Sequence, residues 1–151
     1  LEPFKNEEFT ASRGNGAKLN GRRIRVSGRT EEAGALYATG IPFSPPSFNE
    51  MNSYLACMHE FANNSAGIRR MGVASLDLAY VAAGRMDVFW EMSLKPWDIA
   101  AGVLIVREAG GMVSDFQGGE KFMDNGHILA CTPKLFKPSL KVLSKHLGHI
   151  K

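Results

Sequence analysis

Apolar positions along the chain switch repeatedly between helical and strand-like spacing. Residues 51–63 and 74–83 place apolar side chains three and four positions apart, which predicts two amphipathic helices. Short apolar runs at 35–39 and 86–90 predict strands. The same reading predicts a helix that begins at Trp97 and stops at Gly110, strands at 68–71, 112–114 and 128–131, and a last helix over 135–147. This alternation from residue 35 onwards predicts an α/β domain with a mixed sheet and flanking helices.

The N-terminal region instead reads as short antiparallel strands. Strands are predicted at 8–11, 17–19 and 23–26, and Asn20-Gly21 is a strong signal for a type I′ hairpin turn. Such a hairpin, followed by so few further strands, leaves its sheet short of partners. After residue 39, the prolines at 42, 45 and 46 predict an irregular loop, and Asn49 is a candidate N-cap for the helix that follows.

Composition narrows the functional classes. The 151 residues suffice for one domain with a core, and a net charge of +3 is spread along the chain. Scattered charge favours a solvated surface over a nucleic-acid patch, and it also suits an anionic substrate such as a phosphate ester. Cys57 and Cys131 lack metal-type spacing and predict buried, reduced thiols. No apolar run reaches membrane-spanning length, so we expect no membrane association and a cytoplasmic location.

Asp98 is the first candidate for chemistry. It stands in the first turn of an almost wholly apolar helix, where a carboxylate either caps free amides or binds a ligand. Trp97 and the apolar residues 99–102 predict a helix that is buried on all sides, and a buried carboxylate needs a partner charge or a metal. Gly102 predicts close backbone packing at mid-helix. A dry site with a carboxylate suits a hard cation such as Mg²⁺.

Two further segments are candidates for binding a ligand. Glu91 ends an apolar strand at a loop, where α/β folds commonly place ligand-binding groups, although a solvated strand-end glutamate is equally consistent. Gly72 precedes a predicted helix whose first amides, at Val73 and Ala74, are suited to an anion or a hydroxyl-rich ligand. Arg69 or Arg70 would add a contact to phosphate. The alternative for this segment is a tight structural turn.

These residues fall within a sequence that resembles the inositol monophosphatase family. Residues 97–111, WDIAAGVLIVREAGG, resemble its C-terminal signature. Residues 69–85, RRMGVASLDLAYVAAGR, are similar to the matching segment of bacterial members of the extragenic-suppressor type. Residues 8–14, 19–23 and 38–43 are similar as well, so the resemblance covers nearly the whole chain. It implies the layered α/β sandwich of the sugar-phosphatase superfamily.

The resemblance also implies an activity and roles for residues. The family hydrolyses inositol monophosphates and related sugar phosphates with Mg²⁺, and its members are usually homodimers. By resemblance, Asp98 holds a metal, Glu91 accepts inositol hydroxyls, and Arg69 matches a basic position associated with substrate in bacterial members. Gly72, Val73 and Ala74 match the segment whose backbone touches the inositol ring.

The chain also departs from the family pattern. Val73 stands where Ser or Thr is common, and Ile41 replaces a residue that is polar in animal members. The family's Glu-Glu pair and its Asp-Pro-x-Asp-Gly-Thr motif, which supply most metal ligands and the water-activating group, do not occur in residues 1–151. We therefore expect the chain to be the C-terminal part of such a domain and to be inactive alone, with no residue that activates water.

Three functional hypotheses remain open from the sequence. The first is an inositol-1-monophosphatase, and the second is a related sugar or nucleotide phosphatase on the same fold. The third is a non-catalytic protein that binds RNA or the transcription machinery, which the basic composition and the roles of some bacterial relatives motivate. The sequence specifies neither the physiological substrate nor lithium sensitivity.

Overall fold

The strands form two separate sheets in the computed structural model, which describes residues 1–41 and 50–150. An antiparallel three-stranded sheet contains β1 (Phe9–Ser12), β2 (Gly16–Leu19) and β3 (Arg22–Arg23). The Asn20-Gly21 hairpin, β2–β3, pairs only with β1 within the described residues, so its sheet is small, as the sequence predicted. A five-stranded sheet has the order β5-β4-β6-β8-β7. Its strands are β4 (Leu36–Thr39), β5 (Gly67–Arg69), β6 (Val88–Glu91), β7 (Met112–Ser114) and β8 (Ile128–Cys131).

The five-stranded sheet confirms the mixed α/β class. Strands β5, β4 and β6 run parallel, whereas β8 pairs antiparallel with both β6 and β7. The helices are α1 (Met51–Asn64), α2 (Ala74–Ala82), α3 (Pro96–Glu108), the short α4 (Phe122–Asn125) and α5 (Phe136–Leu147), which follows a 3-10 turn at Pro133–Leu135. Helices α1 and α5 cover one face of the sheet, and α2 and α3 cover the other. The three-stranded sheet packs on the outer side of α3.

Alternation along the strands divides the core into two clusters. On β6, Val88 and Trp90 point towards α1 and α5, whereas Phe89 points towards α2 and α3. On β4, Tyr37 joins the first group and Ala38 joins the second. Because successive side chains of a strand point to opposite faces, this phase places Glu91 on the α2–α3 side of the sheet.

Several local predictions are confirmed. Asn20 and Gly21 both have positive φ, 48° and 77°, as a type I′ turn requires. Cys57 and Cys131 are buried free thiols, and burial raises the pKa of each to about 12. No helix within the described ranges is both long and apolar enough to cross a bilayer. The predicted proline loop and the Asn49 cap lie outside the described residues.

Candidate functional site

Glu91 occupies the end of β6, in the middle of the five-stranded sheet. Its side chain is half-buried and lies directly against Gly40, just beyond β4, where a Cβ would overlap the carboxyl group. A residue with a side chain at position 40 would therefore displace Glu91. The alternative of a freely solvated strand-end glutamate does not fit, because the strand phase and Gly40 hold the half-buried carboxyl group against the backbone at the end of β4.

Asp77 is a buried carboxyl group that the sequence analysis did not select. It lies in the first turn of α2 and is fully buried. Neither of its carboxylate oxygens has a hydrogen-bond partner among the described atoms. Because an ionised carboxylate is costly to remove from water, burial raises the pKa of Asp77 to about 7. Only the positive charge of Arg70 opposes this shift.

Four ionisable groups interact at this end of the sheet. The pKa of Glu91 is raised to about 7, chiefly by burial and then by the neighbouring negative charge of Asp77. The charge of Asp98 adds to the rise, and that of Arg70 opposes it. The fold therefore brings together three carboxyl groups and one guanidinium from separate parts of the sequence. We call Asp77, Glu91, Asp98 and Arg70 the carboxyl cluster.

Asp98 acts as a cap for its own helix. Its Oδ2 accepts a hydrogen bond of 2.9 Å from the amide of Lys95, immediately before α3. The prediction of a helix buried on all sides was wrong, since Trp97 is 79% exposed and Ala100 and Ala101 are also exposed. Only one stripe of α3 faces the core, and Asp98 is half-buried beside it. A carboxylate has two oxygens, so capping through one does not preclude a ligand role for the other.

The start of α2 presents backbone donors to the same region. Gly72 has a φ of 84°, a left-handed conformation that favours glycine. Val73 is the extended N-cap residue, and no side-chain cap bond is formed there within the described structure. Its isopropyl group has no acceptor to offer, although its carbonyl accepts from the amides of Leu76 at 2.9 Å and Asp77 at 3.0 Å. No acceptor for the earlier amides of Ala74 and Ser75 is described, so these two donors face solvent or a ligand. The expected open helix start at Val73 and Ala74 is thus present, and the predicted contact with substrate stays a prediction.

The two neighbouring arginines have different surroundings. Arg69 donates to the carbonyl of Ile68 at 3.3 Å and lies beside Gly67 on its own strand. Arg70 lies over Gly72, with Nη1 3.3 Å from the position a Cβ would occupy there, and its charge acts on Asp77 and Glu91. The geometry therefore brings Arg70 into the cluster, whereas Arg69, the residue that the resemblance selects, makes its described contacts on β5.

Close packing between α2 and α3 fixes the spacing of the cluster. A Cβ at Gly102 would lie 2.5 Å from the side chain of Leu78, so only glycine permits this approach of the two helices. Asp77 precedes Leu78 on α2, and Asp98 lies one turn before Gly102 on α3. The close approach that was predicted for Gly102 is confirmed, and it holds together the two helices that carry these carboxyl groups.

The carboxyl cluster offers the type of donor atom that a hard cation binds, but too few side chains to complete a metal site. Carboxylate oxygens are the donors that Mg²⁺ prefers. Within residues 1–41 and 50–150, however, no three His, Cys, Asp or Glu side chains are arranged to hold a metal ion. Asp98 fits as one ligand of such a site, and the described chain offers no complete set.

Asp77 illustrates what the sequence analysis missed. Residues 78–82 of α2 are all buried and apolar, and Asp77 adjoins them as the single carboxylate of the helix. That isolation is a usable signal, because a charged residue next to an uninterrupted apolar run is rarely solvated. Gly40 offered no comparable signal, because its role depends on β4 lying next to β6.

Comparisons with known proteins place the chain in a family. Residues 1–147 match the sequence model of the inositol monophosphatase family. The chain belongs to the inositol monophosphatase family. Among curated relatives, it is 55% identical over 147 residues to the protein called Nus factor SuhB of Pseudomonas aeruginosa. It is 50% identical over 147 residues to the protein of the same name from Escherichia coli K12.

Solved structures agree with this assignment. The extragenic suppressor protein suhB of Bartonella henselae superposes with a TM-score of 0.90 at 44% identity, covering 96% of this chain and 55% of that one. The inositol monophosphatase of Anabaena superposes with a TM-score of 0.89 at 35% identity, covering 98% and 61%. Both curated relatives are matched over 97% of this chain and 54% of their own length. The chain thus spans about half the length of the curated relatives it matches.

Proposed function

We propose that this chain forms one side of an active site that hydrolyses inositol monophosphate to inositol and phosphate with Mg²⁺. The observation that supports this most strongly is the carboxyl cluster next to the open N-terminus of α2. Acidic groups for a cation and free amides for an anion or hydroxyls meet at one end of the sheet. Family membership supports a phosphatase, while the substrate and the metal belong to the proposal.

Each residue has a distinct task in this proposal. Asp98 contributes one carboxylate to the metal site and stays oriented through the Lys95 amide. Glu91, held against Gly40, accepts hydrogen bonds from the hydroxyls of the polyol ring. The amides at Gly72, Val73 and Ala74 contact the ring or its phosphate. A bound Mg²⁺ would polarise the phosphate and lower the pKa of a bound water.

A positive side chain near the amides of α2 would neutralise part of the phosphate charge. We assign this task to Arg70 before Arg69, because Arg70 lies over Gly72 and acts electrostatically on Glu91. The guanidinium of Arg69 contacts its own strand instead. If substrate draws Arg69 away from the Ile68 carbonyl, both arginines contribute.

Two alternatives keep specific support. A related sugar or nucleotide phosphatase would use the same metal carboxylate, and only the polyol contacts at Glu91 argue for inositol. A transcription-associated role is motivated by the name Nus factor, which the relatives carry. Exposed basic side chains at 13, 18, 22 and 23 on the three-stranded sheet are consistent with an RNA contact. Steeply salt-dependent RNA affinity without phosphatase activity would favour this role.

A homodimer and a cytoplasmic location remain predictions.

The decisive experiment measures turnover of inositol-1-phosphate against Mg²⁺ in a protein that contains a whole family domain. We expect the 151-residue chain alone to show no activity. In the whole domain, Asp98→Asn should lower kcat/KM at least about a hundredfold, because a neutral amide is a weaker metal ligand. Glu60→Gln, on α1 at the opposite face of the sheet, is the matched control. Activity in the isolated chain, an unaffected Asp98→Asn variant, or faster turnover of fructose-1,6-bisphosphate than of inositol-1-phosphate would contradict the proposal.

A further inference from the structure

The loop that connects Glu91 to Asp98 contains a strained residue. Ser93 has a φ of 62°, a left-handed conformation that is unfavourable for a residue with a Cβ. Such a conformation persists only where the surroundings determine it. Residues 92–95 therefore need external support, and their conformation sets the position of Glu91 relative to Asp98.

That support comes from the segment before β8. The amide of Ser93 donates a 3.3 Å hydrogen bond to Nδ1 of His127, and the amide of Leu94 donates a 3.0 Å bond to the carbonyl of Gly126. Gly126 has a φ of 73°, and a Cβ there would overlap the carbonyl oxygen of Leu94. Two consecutive loop amides are thus held by two consecutive residues of another segment.

His127 is itself fixed in place. It is 5% exposed, and its ring stacks on Phe116 with the centroids 5.5 Å apart and the planes at 17°. Its backbone amide donates to Oδ1 of Asn125 at 2.9 Å. Because Nδ1 accepts from Ser93, the proton of the neutral ring resides on Nε2. The ring is oriented before it meets the loop.

We propose that His127 is a positioning residue, which holds the 92–95 loop in its strained form and thereby sets the spacing between Glu91 and Asp98. The role rests on the proposed function for its consequence in catalysis, but the hydrogen bond and its effect on the loop stand apart from any activity. His127 touches no substrate in this account. It acts through the amide of Ser93.

The test compares replacements of His127 that keep either its aromatic ring or its hydrogen-bond acceptor, but not both. His127→Phe keeps an aromatic ring to stack on Phe116 but has no acceptor. His127→Asn places a carbonyl oxygen near the position of Nδ1. Gln117→Ala, which changes a neighbour of Phe116 that bonds to Gly148, is the matched control. If the His127→Phe variant does not fold, His127→Gln is used in its place. The glutamine side chain is longer than that of asparagine, so its carbonyl oxygen lies beyond the position from which it could accept from the Ser93 amide.

The readouts on the 151-residue chain are amide hydrogen exchange at Ser93 and the NMR amide shifts of Glu91 and Asp98. We expect His127→Phe to exchange about tenfold faster at Ser93 and to move both shifts. His127→Asn should stay within about threefold of the parent, and Gln117→Ala should change neither. Unchanged exchange in His127→Phe, unmoved shifts of Glu91 and Asp98, or equal effects of Phe and Asn would overturn the proposal.

A second readout connects the loop to function. In a whole family domain, His127→Phe should raise KM for inositol-1-phosphate about tenfold, and His127→Asn should restore it. A loss of kcat alone, or no rescue by Asn, would overturn the positioning role. If the parent domain hydrolyses no inositol-1-phosphate, the proposed function fails, while the exchange and shift measurements still decide the role of His127.

Discussion

The two faces of the five-stranded sheet differ in what they bury. Aromatic side chains pack against one another on the face covered by α1 and α5, whereas carboxyl groups lie on the face covered by α2 and α3. On the first face, the ring centroids of Tyr37 and Phe61 lie 4.8 Å apart, and those of Phe61 and Trp90 lie 4.7 Å apart. Thr39 donates to the Trp90 carbonyl at 2.7 Å and bonds to the Tyr54 hydroxyl. The buried polar groups of Thr39, Tyr54 and Trp90 are neutral, and no acceptor for the Trp90 indole N–H is found among the described residues.

The second face bears an electrostatic cost that the first does not. Asp77 is fully buried with no hydrogen-bond partner among the described residues, and the charges of Asp77 and Asp98 both raise the pKa of Glu91. Small residues such as Gly40 and Gly102 bring these groups close together at the expense of packed side chains. Both faces hold a buried apolar cluster, and the α2–α3 face in addition concentrates ionisable groups with shifted pKa values, which are typical of functional sites.

The largest expected effect tests the aromatic face. Trp90→Ala removes a fully buried ring and should lower the free energy of unfolding by about 3–5 kcal/mol. Trp97→Ala removes a ring that is 79% exposed and should change it by less than about 0.5 kcal/mol. Urea denaturation of both variants measures the difference. Equal losses would mean that the aromatic face does not carry the stability of the sheet.

An intermediate effect, of opposite sign, is expected at Asp77. Its native pKa of about 7 lies above the ordinary value, so the native state binds more protons than the unfolded state between about pH 4 and 7. Stability should therefore fall as the pH rises through this window. Asp77→Asn removes the ionisation and should gain about 1–2 kcal/mol at pH 8 and less at pH 4. Thermal melts at the two pH values measure this gain, and an equal gain at both would contradict it.

The smallest effect concerns the start of α2. Val73→Thr supplies a hydroxyl acceptor for the Ser75 amide, since the Leu76 amide already donates to the carbonyl of residue 73, and should stabilise the chain by about 0.5–1 kcal/mol. Val73→Ala, which has no acceptor, is the control and should give no gain. Chemical denaturation measures both variants. If Thr and Ala behave alike, the amides of this helix start are already satisfied.

The elements were predictable because strand and helix spacings are local properties. The predicted helix over 51–63 matches α1, Met51–Asn64, and the predicted strand over 128–131 matches β8, Ile128–Cys131. What lies beside an element is not local. Trp97 was expected to be buried because its neighbours along the chain are apolar, yet one side of α3 is exposed. Likewise, the contact between Gly40 and Glu91 exists only because β4 pairs with β6.

The candidate site was likewise predictable only in part from the sequence. The segments around Gly72, Glu91 and Asp98 were identified from local pattern and resemblance, and the fold brings Glu91 and Asp98 into electrostatic contact. Asp77 was missed because a first-turn carboxylate is normally a solvated cap. The sequence did not distinguish Arg69 from Arg70, and the structure does: Arg69 is the last residue of β5 and contacts its own strand, whereas Arg70 lies beyond the strand, over Gly72.

The central claim is that the α2–α3 face, and not the aromatic face, binds substrate. The most direct measurement compares Glu91→Gln with Glu60→Gln in inositol-1-phosphate turnover by a whole family domain. Glu60 lies on the opposite side of the sheet, on α1, and bonds to Lys145 and His146 at 2.7 Å each. We predict that Glu91→Gln raises KM about tenfold and that Glu60→Gln leaves it unchanged. Equal KM values for the two variants would contradict the account.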